Sequence, residues 1–537
     1  MKPFLVRFLA ATAVSGALLT TIAWLDGPEG TAQEPKQPAV KGNAESLSAI
    51  HCIGCHGGPD TPAYKAYSQK EEDGLARTDF ILLTEHNTWE QNDIHSEAHK
   101  NIIPKLSADG KPENIAGKMQ KILSKSPTRV DNKNYSVDSA AECLTCHAVD
   151  REPGPVANLA QAGGDRFNHK FGVSCEACHG LVSAEWIGQH FQKPWRKQTP
   201  DDKLKIGQID LRDPHKKAMK CASCHIGNKA EGKFVTHEMY AAGHPPLPPF
   251  ELVTYCRDQP RHYIPNRENK AIKAMEQKSQ ANFHYRDGEL QDTRDFAIGT
   301  LAAFEATMRL LVEDAKTTAV AGTLLDFAHF DCYACHHDLK IESERRRPRP
   351  GVVPGRPMMR PWATDTLQVV MDAGGGKKGE PRQSNAELGT LMERLTASFN
   401  VRPFGDADSV SKEAAALVKW CEIAKVDLQL VNYRREETLL LYRRLAKQLS
   451  EIRAKDISLD HDTAQQLAWA LVVLQEELGR QKKEAPGLEQ VVRLRLRGME
   501  RETVEKRLPA RYQQIYGFKR DAFLDAAEGF LKAFDPK

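Results

Sequence analysis

The segment Gly172-Val173-Ser174-Cys175-Glu176-Ala177-Cys178-His179-Gly180 places two thiols three positions apart, with an imidazole directly after the second. The same C-x-x-C-H pattern recurs at Cys52, Cys55 and His56, at Cys143, Cys146 and His147, at Cys221, Cys224 and His225, and at Cys332, Cys335 and His336. These five units take ten of the twelve cysteines, and no C-x-x-C lacks its histidine. Thiols at this spacing can both add to the vinyl groups of one haem, and the next imidazole then lies beneath the ring as proximal iron ligand. Three rivals fit less well. A zinc ribbon pairs C-x-x-C units but does not need a histidine after each. A disulfide scaffold needs no histidine. Thioredoxin-like redox motifs come once per domain, not five times. The motifs therefore predict five haem c groups, ten thioether cysteines and five proximal histidines.

Working outward, residues 51–340 hold all five motifs and every histidine except His461. Haem must supply much of the core there, so residues 46–340 are expected to form a pentahaem domain of short helices and long loops with little strand. The stretch Pro245-Pro246-Leu247-Pro248-Pro249 marks irregular chain. A better helix runs from Leu301 to Val312, with Leu301, Phe304, Met308 and Leu311 on one face. Residues 341–383 read as a basic, Pro/Gly-rich linker, with Arg345-Arg346-Arg347-Pro348-Arg349-Pro350 and then Gly374-Gly375-Gly376. The arginine run is either a docking patch for an acidic redox partner or a solvated connector, the plainer reading of a charge run.

From 384 to 537 the pattern is helical. Leu388, Leu391, Met392, Leu395 and Phe399 form one stripe; Ala414, Leu417, Val418, Cys421 and Ala424 a second; Leu467, Leu471, Leu474 and Leu478 a third. Asp408 and Ser458 are the expected caps. This C-terminal helical domain reads as an antiparallel bundle that packs on the haem domain or joins copies of the chain into a homo-oligomer. The fold class is mainly α: a haem-packed multihaem cytochrome c domain with long loops, plus a C-terminal helical bundle. Cys421 sits on an apolar stripe and reads as a buried structural thiol. Cys256 is either an ordinary thiol, a partner for Cys421 or an iron ligand.

Composition bounds the compartment and the partners. The chain has 537 residues, 40% hydrophobic and 27% charged, which excludes disordered, collagen-like and multi-span membrane classes. A formal charge of +3 gives no support to nucleic-acid binding. Residues 1–32 read as a signal peptide: Lys2 and Arg7 form a positive start, Phe8 to Leu25 is apolar or small, and Gly30-Thr31-Ala32 offers small residues for cleavage. The rival is a retained membrane tether through residues 4–25. Residues 33–45 read as a flexible leader. Either way the expected location is periplasmic or otherwise exported, which suits haem attachment.

Five irons need up to five sixth ligands, and histidine supply exceeds that demand. His95 and His99 lie four apart, on one face of a helix, a spacing that could also bind zinc. His190 follows His179 by eleven residues, and His237 and His244 flank Glu238-Met239-Tyr240-Ala241-Ala242-Gly243. Any of these could instead sit at the surface or bond a propionate.

Thr84-Glu85-His86-Asn87-Thr88-Trp89, followed by Asp93-Ile94-His95-Ser96-Glu97-Ala98, resembles the Trp-then-His-x-Ala signature of the cytochrome c-554 family of multihaem cytochromes. The Gly172–Gly180 segment, the Cys221–His225 motif with Thr236–Pro245, and Phe330–Leu339 are similar to that group, so the resemblance spans about residues 46–360. It implies a mostly helical fold, closely stacked haem pairs, largely bis-His iron and periplasmic electron transfer with redox partner proteins. It implies distal ligation by His95, with His190, His237 and His244 as the other family-like ligands. Two departures stand out: the family's named member carries four haems, and the C-terminal helices lie beyond the resemblance. The alternative is a multihaem oxidoreductase acting on nitrite or hydroxylamine at a haem with an open sixth site. The C-x-x-C-K that marks the catalytic haem of pentahaem nitrite reductase does not occur, so an electron carrier rather than a catalyst is expected.

Overall fold

The computed structural model describes residues 52–533 apart from 71–73, 130–133, 149–168, 181–183, 191, 193–194, 196–197, 278–285, 338, 340–346, 354, 361, 374–382, 480–485 and 493–514. The leader readings at 1–32 and 33–45, Arg345, Arg346 and the triple glycine lie outside the described residues. The chain is mainly helical, and among the described residues β pairing is limited to isolated bridges such as Leu106 with Pro112.

Each haem motif sits on a helix. They are α1 (Ile53–His56), α3 (Ala141–His147), α4 (Cys175–His179), the last turn of α5 (Pro214–His225) and α7 (Cys332–Cys335), with α2 (Glu85–Asn92) lying between α1 and α3. A helical turn is what the motif needs, because residues three apart share one face. Most of these helices are a turn or two long. α5 is longer because Pro214 opens it and the Asp213 carboxylate accepts from the backbone N–H groups of His215 and Lys216 at 2.8 and 3.1 Å.

The spine is α6 (Gln291–Ala321), 31 residues long and buried on every side from Thr293 to Ala306. A helix buried all round must be covered all round. The cover comes from α5, α8 (Trp362–Ala373), α10 (Ala407–Leu430) and α12 (His461–Glu477). Around these pack α9 (Gln383–Asn400), α11 (Arg435–Ala454) and α13 (Arg520–Ala533). Gly299 lets α6 come close to Leu252, whose Cβ would lie 2.7 Å from any side-chain carbon at that position. At the start of α6, the Thr293 N–H donates to a Glu477 carboxyl oxygen of α12 at 3.0 Å, which satisfies one of the N–H groups that a helix start leaves open.

One hydrophobic cluster runs from Ala218 on α5 to Ala527 on α13, so the core does not stop at residue 340. The stretch 341–383, expected as a linker, contains α8, whose Leu367, Val369, Val370 and Met371 are buried in that cluster. The arginine run is neither loose nor free at its described positions. Arg347 pairs with Asp456, and Arg349 lies 3.2 Å from Asp460, which fastens the Pro-broken segment just before α12. The three apolar stripes fall on α9, α10 and α12, with Leu391, Leu417 and Leu471 among the buried residues. The caps are Asp406 and Asp460, each two positions from the expected Asp408 and Ser458. Both starts offer several competent side chains within four residues, and pattern alone cannot choose among them. A second, smaller core of Ile102, Met119, Leu123, Leu144 and Met239 surrounds the second motif.

Candidate haem-binding site

The third motif is tied by backbone to a histidine far earlier in the chain. Gly172 adopts φ +59°, and a Cβ there would run into the His95 carbonyl. With glycine in place, the Val173 N–H donates to the His95 carbonyl at 2.8 Å, and Trp89 Nε1 donates to the Val173 carbonyl at 3.0 Å. His95 itself lies in the 3-10 segment Ile94–Ile102, capped by Asp93.

Three motif imidazoles each face a second imidazole. His225 faces His95 with ring centres 6.1 Å apart, His147 faces His244 at 6.4 Å, and His179 faces His262 at 6.4 Å. A metal bonded to a nitrogen of each ring at roughly 2 Å would separate the ring centres by about 6 Å. Among the described residues no cluster of three or more His, Cys, Asp or Glu could hold a bare metal ion. Two facing imidazoles leave the other positions around an iron to a porphyrin, which the adjoining thiol pairs would anchor. The residues present fit haem.

Protonation divides these rings: against burial, the Asp93 carboxylate raises His95 and the Glu85 carboxylate raises His56, while three others are lowered. Burial, then the facing His95, pushes His225 down to about 3. Burial, then His262, pushes His179 down to about 4, and burial, then His147, does the same to His244. Neutral imidazole is the metal-binding form. The outer nitrogens fix which nitrogen is free. Nδ1 of His147 meets the Ala98 carbonyl at 2.9 Å, that of His244 the Pro245 carbonyl at 2.8 Å, and that of His262 the Pro260 carbonyl at 3.1 Å. A carbonyl only accepts, so Nδ1 must carry the proton and Nε2 keeps its lone pair. In His95 and His56 the Nδ1 partner is a carboxylate instead, Asp93 at 2.8 Å and Glu85 at 2.9 Å.

The motifs also adjoin one another. The Cys52 and Cys175 thiols lie close enough to perturb one another, as do those of Cys146 and Cys224, and Cys178 lies within electrostatic reach of Cys224 and Cys221. The fifth motif is held by the C-terminal helices: Phe330 packs edge-on to Phe399 with ring centres 5.5 Å apart. Arg360 reaches the Cys332 sulfur at 3.3 Å and lies over Tyr240 at 5.9 Å. His225, Tyr240, His329, Arg360 and Trp362 line one cavity, which joins the fourth motif to the neighbourhood of the fifth.

Among the histidines singled out as distal candidates, His95 and His244 each face a motif imidazole. His190 lies between Trp186 and Trp195, with its Nδ1 3.2 Å from the Trp186 carbonyl. His237 packs edge-on to Phe327. His99, weighed with His95 as a zinc pair, turns its Nε2 to the Asp138 carbonyl at 3.1 Å. His262 was not singled out: no spacing links it to the third motif, and the only sign was the surplus of histidines. Cys256 and Cys421 are both free thiols, and Cys421 is fully buried on α10.

A mainly helical chain in which three of the five C-x-x-C-H motifs present an imidazole to a second, facing imidazole has the features of a c-type cytochrome. More particularly, the family model described as cytochrome c554 and c-prime matches residues 85–180, and over that segment the chain is cytochrome c554-like. The match takes in α2, His95 and the second and third motifs, a narrower span than the 46–360 of the resemblance. No curated protein and no solved structure matches the chain. That segment match supports haem c and a haem-based redox or electron-transfer function. Among the described residues no helix is long and apolar enough to cross a membrane.

Proposed function

We infer that this chain carries electrons through five covalently bound haems on the exported side of a membrane. The observation that carries the reading is the set of three facing imidazole pairs at 6.1–6.4 Å. Cys52, Cys55, Cys143, Cys146, Cys175, Cys178, Cys221, Cys224, Cys332 and Cys335 would hold the haems. His56, His147, His179, His225 and His336 would be the proximal ligands, with His95, His244 and His262 as distal partners. When bound, each haem supplies a one-electron ferric–ferrous couple. Two imidazoles bind both oxidation states, so little reorganisation accompanies transfer. The adjoining Cys52 and Cys175, and Cys146 and Cys224, support transfer between neighbouring haems. The apolar leader of the sequence supports export, with periplasmic proteins as the redox partners.

Intact mass of the purified holoprotein should exceed the polypeptide mass by five haems, and its EPR spectrum should be dominated by low-spin ferric signals. His262→Gly should convert one haem to high spin. Fewer than five added haems would break the count. An unchanged spectrum in His262→Gly would remove that pair, and turnover of nitrite or hydroxylamine at an open sixth site would replace the carrier by an oxidoreductase.

A further inference from the structure

The Nδ1 atoms of these histidines do not all meet the same chemistry. His147, His244 and His262 donate to neutral backbone carbonyls, whereas His56 and His95 face the carboxylates of Glu85 and Asp93. Both carboxylates are fixed in place by other donors. Glu85 also accepts from the Leu82 N–H at 2.8 Å. Asp93 accepts from the His95 N–H at 3.1 Å and from Gln259 at 3.1 Å.

We propose that Asp93 and Glu85 are tuning residues, which hold the haems of the fourth and first motifs at lower reduction potential than the haems of the second and third. This rests on the ligand assignment above: His95 opposite His225, and His56 beneath the first haem. Two effects act in the same direction. A carboxylate draws the Nδ1 proton more strongly than a carbonyl does, which makes Nε2 a better donor to iron. Its negative charge also favours the ferric state, which has one more positive charge than the ferrous. The Asp93 side chain is 2% exposed and that of Glu85 20%, so water screens Asp93 less and its effect is the larger. Along the adjoining motifs, first to third to fourth to second, low and high potentials would alternate. An electron would then step between unequal sites rather than run down a uniform slope.

The test is a spectroelectrochemical titration of the holoprotein, each haem taking one electron from the titrant. Asp93→Asn and Glu85→Gln remove the charge and keep an acceptor of the same shape, and asparagine also keeps the N-cap of the Ile94–Ile102 segment. In Asp93→Asn one midpoint should rise enough to change the reduced-to-oxidised ratio of that haem about tenfold at fixed potential, or about 59 mV for a one-electron couple. Glu85→Gln should raise a different midpoint by less. Unmoved or lowered midpoints in both variants would overturn the proposal, since a purely structural carboxylate predicts no such shift. His95→Gly separates this from the ligand assignment. A new high-spin haem leaves the assignment standing whatever the titration shows, whereas a spectrum that stays low-spin removes the assignment and the tuning with it.

Discussion

Between Cys52 and Asp258 no described helix exceeds the twelve residues of α5, and the hydrophobic cluster around the second motif contains ten buried side chains. From Gln291 onward, helices of 31, 24, 20 and 17 residues share one continuous core. The two regions solve the same problem with different material. In the second, long apolar stripes bury one another. In the first, haem would supply the apolar payload, and the polypeptide provides short helices that carry thiols and imidazoles. The regions meet along α5 and α6, where a haem-motif helix packs directly on the spine of the bundle.

The sharpest way to break this contrast is to withhold the haem. Chain made without haem attachment should lose amide-exchange protection over residues 52–258 and keep it in α6 and α9–α12. Equal protection in both regions would show that the first region has a polypeptide core of its own. Next in size is Phe304→Ala, at a fully buried position on α6 whose ring meets Trp420 at 6.3 Å. It should cost about 3–5 kcal/mol in denaturant unfolding, with the haem count unchanged by mass. Gly172→Ala probes the other region. It forces a side chain into the left-handed conformation and against the His95 carbonyl, a cost of about 1–3 kcal/mol. The accompanying sign should be an altered low-spin EPR signal for the haem facing His95.

The smallest effect lies where the regions meet. Burial and then Asp292 push Glu477 up to about 7, against the pull of Arg267. A carboxyl raised in the folded state binds its proton more tightly there than in the unfolded chain. Its contribution is therefore complete below the ordinary carboxylate range and is lost as pH rises towards 7. Glu477→Gln should flatten that decline, measured as urea midpoints at pH 5 and pH 8. An unchanged difference between the two would remove the linkage.

The sequence carried these two regions unequally. The apolar stripes on α9, α10 and α12 could be read because helical burial repeats every 3.6 residues within one segment. The same holds for the motif helices, whose thiol spacing is local. The helix α8 was hidden because its short apolar run, Leu367 to Met371, lies between an arginine-proline run and three glycines. Both flanks are ordinary signs of a connector, and the ion pairs to Asp456 and Asp460 that fasten the segment are contacts distant in sequence. Which histidines face the motifs was partly legible for His95 and His244, which sit in recognisable segments. His262 was not, because its partnership with His179 exists only through space.

The order of the facing histidines along the chain has a consequence for how the protein matures. His95 precedes Cys221 and Cys224, so in a chain exported N-terminus first it would already be outside when a haem was attached at the fourth motif. His244 and His262 come after the second and third motifs that they face. Haems attached there in the same order would have one side bare until later chain closed over them. During that interval each would be open to a foreign ligand, whereas a haem at the fourth motif would have His95 on hand from the start.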